Sequence, residues 1–588
     1  MGGHRVGARS ALGFGFLLST FGASAIAQAP ATPPASPPTR EQVEVPRPDT
    51  VDRRQPRVRV DPGDALGRAP CPLERFDLSV TINSVRFTGP NGGPLNETIA
   101  ALLRNVETPG AAQPVRVICD IRDRVNATLR EAGYVASVQI PPQEIETGEL
   151  RLEVVTARIV DVRVRGEAAP YRETLAARIE QLKALDPFNQ REAERILLLA
   201  NDVPGLDVQL QLRPANRAPG EVIGDLEVTY RQVSAIANIQ NYGSKQLGRE
   251  TLYARADFFG LAGGPSLTYL GASTTLDFDE QQVLQFGHLQ EISLDGLTAG
   301  ASFLHAWSRP AIGDLDLRSE SLVGRLELSA PVGRAVGSSI DFNAGFELIE
   351  QRTRVFGGES GGVPLNRDKI RVLFARLSGE LRAPRLDGGD RYALSGSIEL
   401  RQGIDVFDAT QRGRISPSGF SPSRIEGDPL ATVIRGEIEG VVNIGSRFSL
   451  AAEGIAQWAN NPLLNFEEFS IGNLTIGRGY DPGANTADRA IGLRIEPRAK
   501  VLERERVRLD AFAFYDSVWI YNLDNNTAEN DRRLGSYGAG FRALLPRTAL
   551  LEIMYARPED IALLVPNARR ADDRLLVSLT VQFPPAGR

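Results

Sequence analysis

The sequence predicts a signal peptide, two small α+β domains and then an all-β, sixteen-stranded transmembrane antiparallel barrel. Three observations predict it. From about Ser234 to Phe583 helical periodicity disappears, and alternating segments of roughly ten residues follow one another between Gly, Pro, Asn and Asp clusters. Beyond the N-terminus no apolar run reaches the about 18 residues that a spanning helix needs, so insertion in a membrane requires a closed barrel. Ahead of the barrel, a β-α-α-β-β order occurs twice with a period of ~75 residues, as tandem small domains would show.

The N-terminal element reads as an address. Met1 to Arg9 holds His4, Arg5 and Arg9 and no acid, Ala11 to Gly22 is apolar, and Ala25-Ile26-Ala27 offers a small-x-small cleavage pattern. Residues 1–27 are therefore expected to be a cleaved secretory signal, and the rest extracytoplasmic. Residues 28–70 form a Pro-rich linker, in which Pro33, Pro34, Pro37, Pro38, Pro46, Pro48, Pro56 and Pro62 deny helix and ladder bonds. An extended, mobile spacer is the default for such a stretch; a Pro-rich recognition segment is the other reading, and the Pro density argues against a long helix.

The first unit, 71–156, begins with a strand over Phe76 to Phe87. Asn96 caps a helix with Ile99, Leu102, Leu103 and Val106 on one face, and Ile118, Ile121, Val125 and Leu129 mark a second helix closed by Gly133. Strands Tyr134 to Ile140 and Leu150 to Val155 finish it. The second unit, 157–232, repeats the order: Val160, Val162 and Val164 alternate with charges, Leu175, Ile179 and Leu182 stripe one helix, and Ala193, Ile196, Leu197 and Ala200 stripe the next. After Asn201-Asp202-Val203-Pro204-Gly205 come strands carrying Val208, Leu210 and Leu212, then Leu226, Val228 and Tyr230. Each three-stranded sheet covered on one face leaves an edge open. Cys71 and Cys119 flank the first unit; in an oxidising compartment they can close a disulfide, the alternative being two separate buried thiols.

Tandem units of this order behind a signal peptide, with the Asn201–Gly205 segment between helix and strand, resemble the polypeptide-transport-associated (POTRA) domains of the two-partner secretion transporters (TpsB, of the ShlB/FhaC/HecB haemolysin secretion and activation type). The barrel, 233–588, extends the resemblance. Eleven strands precede the long segment Asn460 to Ala487 and five follow it, an even total as closure demands. On the last strand Leu575, Val577, Leu579, Val581 and Phe583 face one way, like the terminal signal by which outer-membrane barrels are recognised for assembly; here five residues follow Phe583, a departure from the usual ending.

Within 460–487, Gly477-Arg478-Gly479-Tyr480 resembles the family's loop that folds back into the lumen. Two glycines flank an Arg whose five fixed donors need a carboxylate away from bulk water. Phe514 to Val518 resembles the family's Phe-x-Asp-x-Gly wall motif with Val518 in place of Gly, which implies Asp516 as the partner of Arg478; Asp510, on the same strand face, is the rival. An Asp on the lipid face would be costly, so it belongs in the lumen.

With 67 Lys+Arg against 73 Asp+Glu and a net charge of -6, no electrostatic footprint for nucleic acid exists. His288 and His305 sit in no catalytic or metal-ligand spacing, and Gly357 to Gly362 has no following helix to receive a phosphate, so no enzyme, metal or cofactor is expected. The resemblance implies an outer-membrane pore exporting a secreted partner in extended form without ATP. It also implies surrounding lipid, and periplasmic chaperones and the barrel-assembly machinery as helpers. The substrate would add to POTRA edge strands, at Tyr134, Val138 and Ile140 or at Val208, Leu210 and Leu212. A barrel-assembly or lipid-inserting factor is the alternative, and a passive solute channel the third.

Overall fold

The computed structural model describes residues 37–44, 60–61, 66 and 71–583, apart from 146, 216, 313–314, 358–359, 386–388, 526–528 and 546–547. The expected signal, 1–27, and the last five residues lie outside the described residues.

In the first unit the Asn96 side chain accepts from the Thr98 N–H and starts helix Glu97–Leu102. Helix Val117–Glu131 turns Ile118, Ile121, Val125 and Leu129 inward onto Leu150, Leu152 and Val154. The sheet runs Ser84–Thr88, Glu149–Thr156, Ala136–Gln139, its first pair parallel and its second antiparallel. The strand expected over Phe76 to Phe87 is split. Ser79–Thr81 pairs with Ala112–Pro114 in a separate ladder, and Ile82 at the break turns into the core, so one continuous strand would lose that burial. Cys71 and Cys119 are joined in a disulfide with 5.9 Å between Cα atoms.

In the second unit Asn189 caps helix Gln190–Asn201, which packs with Arg172–Lys183 over Val208, Leu210 and Leu212. Its sheet holds a fourth strand that the sequence did not announce. The order is Val60–Asp61, Leu206–Pro214, Glu221–Tyr230, Arg158–Gly166, so a piece of the linker lies parallel on the Leu206–Pro214 edge.

The barrel closes through the antiparallel pairing of Val233–Gln240 with Arg574–Phe583, Ala235 lying opposite Phe583. Its wall has sixteen strands, because the two-residue Ala311–Ile312 continues Thr298–Ser308, both pairing with Leu315–Ala335. Large apolar side chains such as Leu284, Phe286, Leu326, Leu377, Ile438 and Leu493 point outward, as lipid contact requires. Strands Leu315–Ala335, Ser338–Gly357 and Ser360–Pro384 hold 21, 20 and 25 residues. About ten residues cross a bilayer, so these strands raise the wall well past it.

The second unit is fixed to one rim of the barrel. Arg178 pairs with Glu291 at 3.1 Å, and Arg334 reaches Asp202 at 2.7 Å and Asp341 at 2.6 Å. Asn201–Gly205, whose Pro-Gly pattern marked the domain, forms this joint. Gly205 has a φ of +79°, and a Cβ there would meet the Phe259 ring at 2.7 Å and the Arg231 carbonyl at 2.4 Å.

Candidate functional site

Asn460 to Ala487 folds back into the lumen, where Phe469–Ile471 pairs with Asn485–Ala487 and holds the intervening residues against the wall. The loop is seated by apolar contact first: Ile471, Ile476 and Tyr480 pack with Val518, Ile520 and Leu534 of the wall. Val518 therefore fills a contact at the position where the family motif has Gly.

On this seat the Gly477 and Arg478 N–H groups both donate to Asp516 Oδ2, at 3.2 and 2.8 Å. The Arg478 guanidinium lies 3.6 Å from the Phe514 ring centroid, 3.4 Å from Asp516 Oδ1 and 2.6 Å from Glu496 Oε2. Gly479 permits the approach, since a Cβ there would meet Pro558 N at 2.7 Å and Ser536 Cβ at 2.8 Å. The Tyr480 hydroxyl donates to the Gly535 carbonyl at 2.7 Å, and burial pushes that hydroxyl up to about 12. Asp510 lies elsewhere on its strand, paired with Arg508 at 2.8 Å.

Two participants were missed. Glu496 pairs with Arg478, and Arg494 donates to Asp516 Oδ1 at 3.0 Å while reaching Glu453 at 2.6 Å. A signal was present: Arg494, Glu496 and Arg498 occupy alternate positions of Arg489–Arg504 against Ile491, Leu493 and Ile495, marking the charged face as luminal.

The larger departure concerns the linker. Residues 37–44 do not form an extended spacer; they lie in the lumen as a short plug containing helix Arg40–Val43. Thr39 and Gln42 form its capping box. Tertiary contacts supply what so short a helix cannot provide itself. Arg40 reaches Glu347 at 3.3 Å and Glu467 of the lumen loop at 2.5 Å, and Arg401 pairs with the same two carboxylates. Val43, fully buried, packs among Val283, Val323, Ile349, Leu464 and Phe466. Gln42 donates to the Pro482 carbonyl at 2.9 Å, and Gln281 donates to the Gln42 carbonyl at 3.0 Å. Burial pushes Glu467 up, but Arg401, Arg40 and Arg435 outweigh it and hold the carboxyl down to about 2. Burial, reinforced by Asp488, outweighs Arg424 at the adjacent Glu468 and raises it to about 7. Burial also raises Glu41.

Elsewhere in the lumen a cavity of about 470 Å³ remains, lined by seven carboxylates, among them Glu327, Glu380, Glu437 and Glu439, against Arg325 and Arg376.

At the expected substrate edges the chain's own groups hold part of the backbone. Asn201 clamps Val208 through both backbone groups, accepting from its N–H at 2.7 Å and donating to its carbonyl at 3.1 Å, and Leu210 faces Val60. In the first unit the Val138 N–H donates to Asn126 Oδ1 at 3.0 Å, and Tyr134 makes a bridge to Asn189. An exposed edge invites aggregation, and here the chain's own groups blunt it.

These features define a class of fold: a closed sixteen-stranded β-barrel preceded by two small α+β units, with its lumen occupied by its own chain. Residues 379–543 match the family model of the haemolysin secretion/activation protein ShlB/FhaC/HecB. That stretch of the chain is thus similar to the secretion/activation proteins of the ShlB/FhaC/HecB type. The chain is similar to the heme/hemopexin transporter protein HuxB of Haemophilus influenzae, with 24% identity over 489 residues, 79% of this chain and 81% of the relative. Its fold resembles that of CdiB from Escherichia coli, with a TM-score of 0.65 and 15% identity over 88% of this chain and 93% of that one. CdiB from Acinetobacter baumannii gives 0.61 and 14% over 86% and 90%.

Proposed function

We propose that the chain exports a secreted partner protein through its lumen in unfolded form, with the POTRA units in the periplasm and the long loops outside the cell. One observation carries this reading. Much of the lumen is occupied by separable pieces of the chain itself, a four-residue helix and a folded-back loop, both held to the wall by side-chain packing and ion pairs rather than by pairing into the barrel sheet. A passive solute channel needs neither a removable plug nor two POTRA units. Withdrawal of residues 37–44 and movement of the loop would join the residual cavity to the far end, giving an extended polypeptide a polar path.

The substrate meets the POTRA units first, and an edge such as Ala136–Gln139 would hold it by main-chain bonds. The chain carries no nucleotide loop, so folding of the emerged substrate supplies the direction of transfer. Gly477–Tyr480, with Asp516 and Phe514, acts as the latch of the lumen loop. The Cys71–Cys119 disulfide braces the first unit, and the strand ending at Phe583 directs assembly into the lipid bilayer with chaperones and the assembly machinery.

The test compares secreted and outer-membrane proteins in cells with and without the gene. Deletion should remove one or a few proteins from the culture medium and leave the inventory of other barrels unchanged. A general fall in barrel abundance with unchanged secretion would replace export with an assembly role.

A further inference from the structure

Gln351 and Asp368 lie directly opposite each other on strands Ser338–Gly357 and Ser360–Pro384. They share the luminal face with Ile349 and Ile370, which pack on Val43 of the plug, and each is only 1% exposed. Asp368 Oδ1 accepts from the Ser423 N–H at 2.9 Å, while Oδ2 has no partner. Gln351 Nε2 donates to the Pro38 carbonyl at 2.8 Å and to Ser321 Oγ at 3.0 Å, while Oε1 has no partner. Among the described residues no cation pairs with Asp368: Arg367, Lys369 and Arg371 belong to the opposite face and are held by Glu350 and Asp408. A buried carboxylate without a cation is costly, and two acceptor oxygens cannot satisfy each other. Both orphaned atoms therefore call for a positive partner between the two strands.

We propose that Asp368 Oδ2 and Gln351 Oε1 anchor a sodium ion at the junction of wall, plug, lumen loop and the loop 404–431, and that the bound ion steadies the closed lumen. The chemistry of the donors selects the ion. They are oxygens only, which suits a hard cation, and a single carboxylate balances a single charge. Magnesium sheds its water too reluctantly for so buried a place. The buried hydroxyls of Ser319, Ser321 and Thr353 lie on the same face, Ser321 opposite Gln351 and Ser319 opposite Thr353, as further oxygens for the shell. The link to the plug runs through two amides. Gln351 holds the Pro38 carbonyl, and Asn465 of the lumen loop donates to the Pro37 and Pro38 carbonyls at 3.1 and 3.3 Å while its N–H donates to Ser423 Oγ at 3.0 Å. An ion that fixes Gln351 and Asp368 thus fixes the groups that hold the start of the plug, whether or not protein passes through the pore.

Full-length protein in detergent tests this through the temperature at which the folded gel band converts to the unfolded one, with sodium chloride compared against choline chloride at equal ionic strength and neutral pH. Sodium should raise the midpoint by several degrees in a concentration-dependent way, as a ligand of the folded chain alone does. Asp368→Asn keeps the shape without the charge and should lose the sodium dependence, whereas Asp408→Asn, on the other face, should keep it. In planar bilayers, exchange of sodium for choline should raise the opening frequency of the wild-type chain severalfold and leave that of Asp368→Asn unchanged. Equal wild-type midpoints in the two salts overturn the site. A wild-type midpoint that rises only on acidification, to the value of Asp368→Asn in either salt, would overturn it in favour of a proton shared between Asp368 and Gln351. A shift produced by calcium alone overturns the single-charge assignment, and a sodium-dependent midpoint with unchanged openings overturns the link to the plug.

Discussion

Exchanging the charges of Arg478 and Asp516 should not restore what either single substitution loses. Asp at 478 would face Glu496, and Arg at 516 would face Arg494, so the swap keeps one pair in reversed sense and turns two other attractive pairs into like-charge contacts. Arg478→Ala leaves Asp516 and Glu496 buried with fewer cations, at a cost of about 3 kcal/mol to the seat of the loop. Secretion should then drop severely while the barrel stays heat-modifiable on gels; full secretion would remove the latch from the mechanism. The pair itself was legible in the sequence because a glycine-flanked Arg and a lumen-facing Asp stand out. The network around it was harder to read, because an alternating strand shows which charges share the lumen and not which of them a folded-back loop will meet.

Among the elements, the plug carries a pH dependence of definite sign. Glu468 of the lumen loop, at about 7, and Glu41 of the plug, also raised, hold protons while loop and plug are seated that the released segments give up near the ordinary value of 4.5. Their contribution to seating therefore grows as pH falls from about 7 toward 4.5. Glu467, held down to about 2, contributes fully above 4.5 and loses that contribution as pH falls toward 2. Opening frequency in bilayers should be lowest at about pH 5 to 6 and rise on both sides; a flat profile from pH 4 to 8 would deny these carboxylates a part in the seat. The disulfide is a second element-scale device. Closing a loop across 48 residues is worth about 4 kcal/mol of chain entropy. Cys71→Ser with Cys119→Ser should make the first POTRA unit sensitive to protease at lower denaturant without changing barrel insertion.

Helices, caps and barrel strands were readable because each announces itself by local period. The plug and the Val60–Asp61 strand were not. Both are built from a Pro-rich stretch whose conformation is decided by partners hundreds of residues away, and no window of local sequence contains Glu347, Glu467 and Leu210 together. The strand expected over Phe76 to Phe87 failed for a related reason, since alternation cannot show that Ile82 turns inward and divides it.

At the scale of the whole molecule, the acidic cavity sets what the opened pore conducts. Seven carboxylates against two guanidinium groups favour cations in a water-filled path through this cavity. An Arg40→Ala variant, freed of the ion pairs to Glu347 and Glu467, should open more often and prefer potassium over chloride. Glu437→Gln with Glu439→Gln should move the reversal potential toward zero. Anion preference would show that other charges govern the path.

The account stands or falls on whether protein crosses through the lumen that residues 37–44 fill. Thr39 Oγ1 lies 3.3 Å from Ser470 Oγ, so Thr39→Cys with Ser470→Cys can bolt the plug to the lumen loop. In cells carrying this variant, the amount outside the cell of the protein lost on gene deletion is the decisive quantity. The account predicts that the crosslinked form exports none and that reduction restores export, with each single cysteine exporting normally. Undiminished export by the crosslinked form would contradict it.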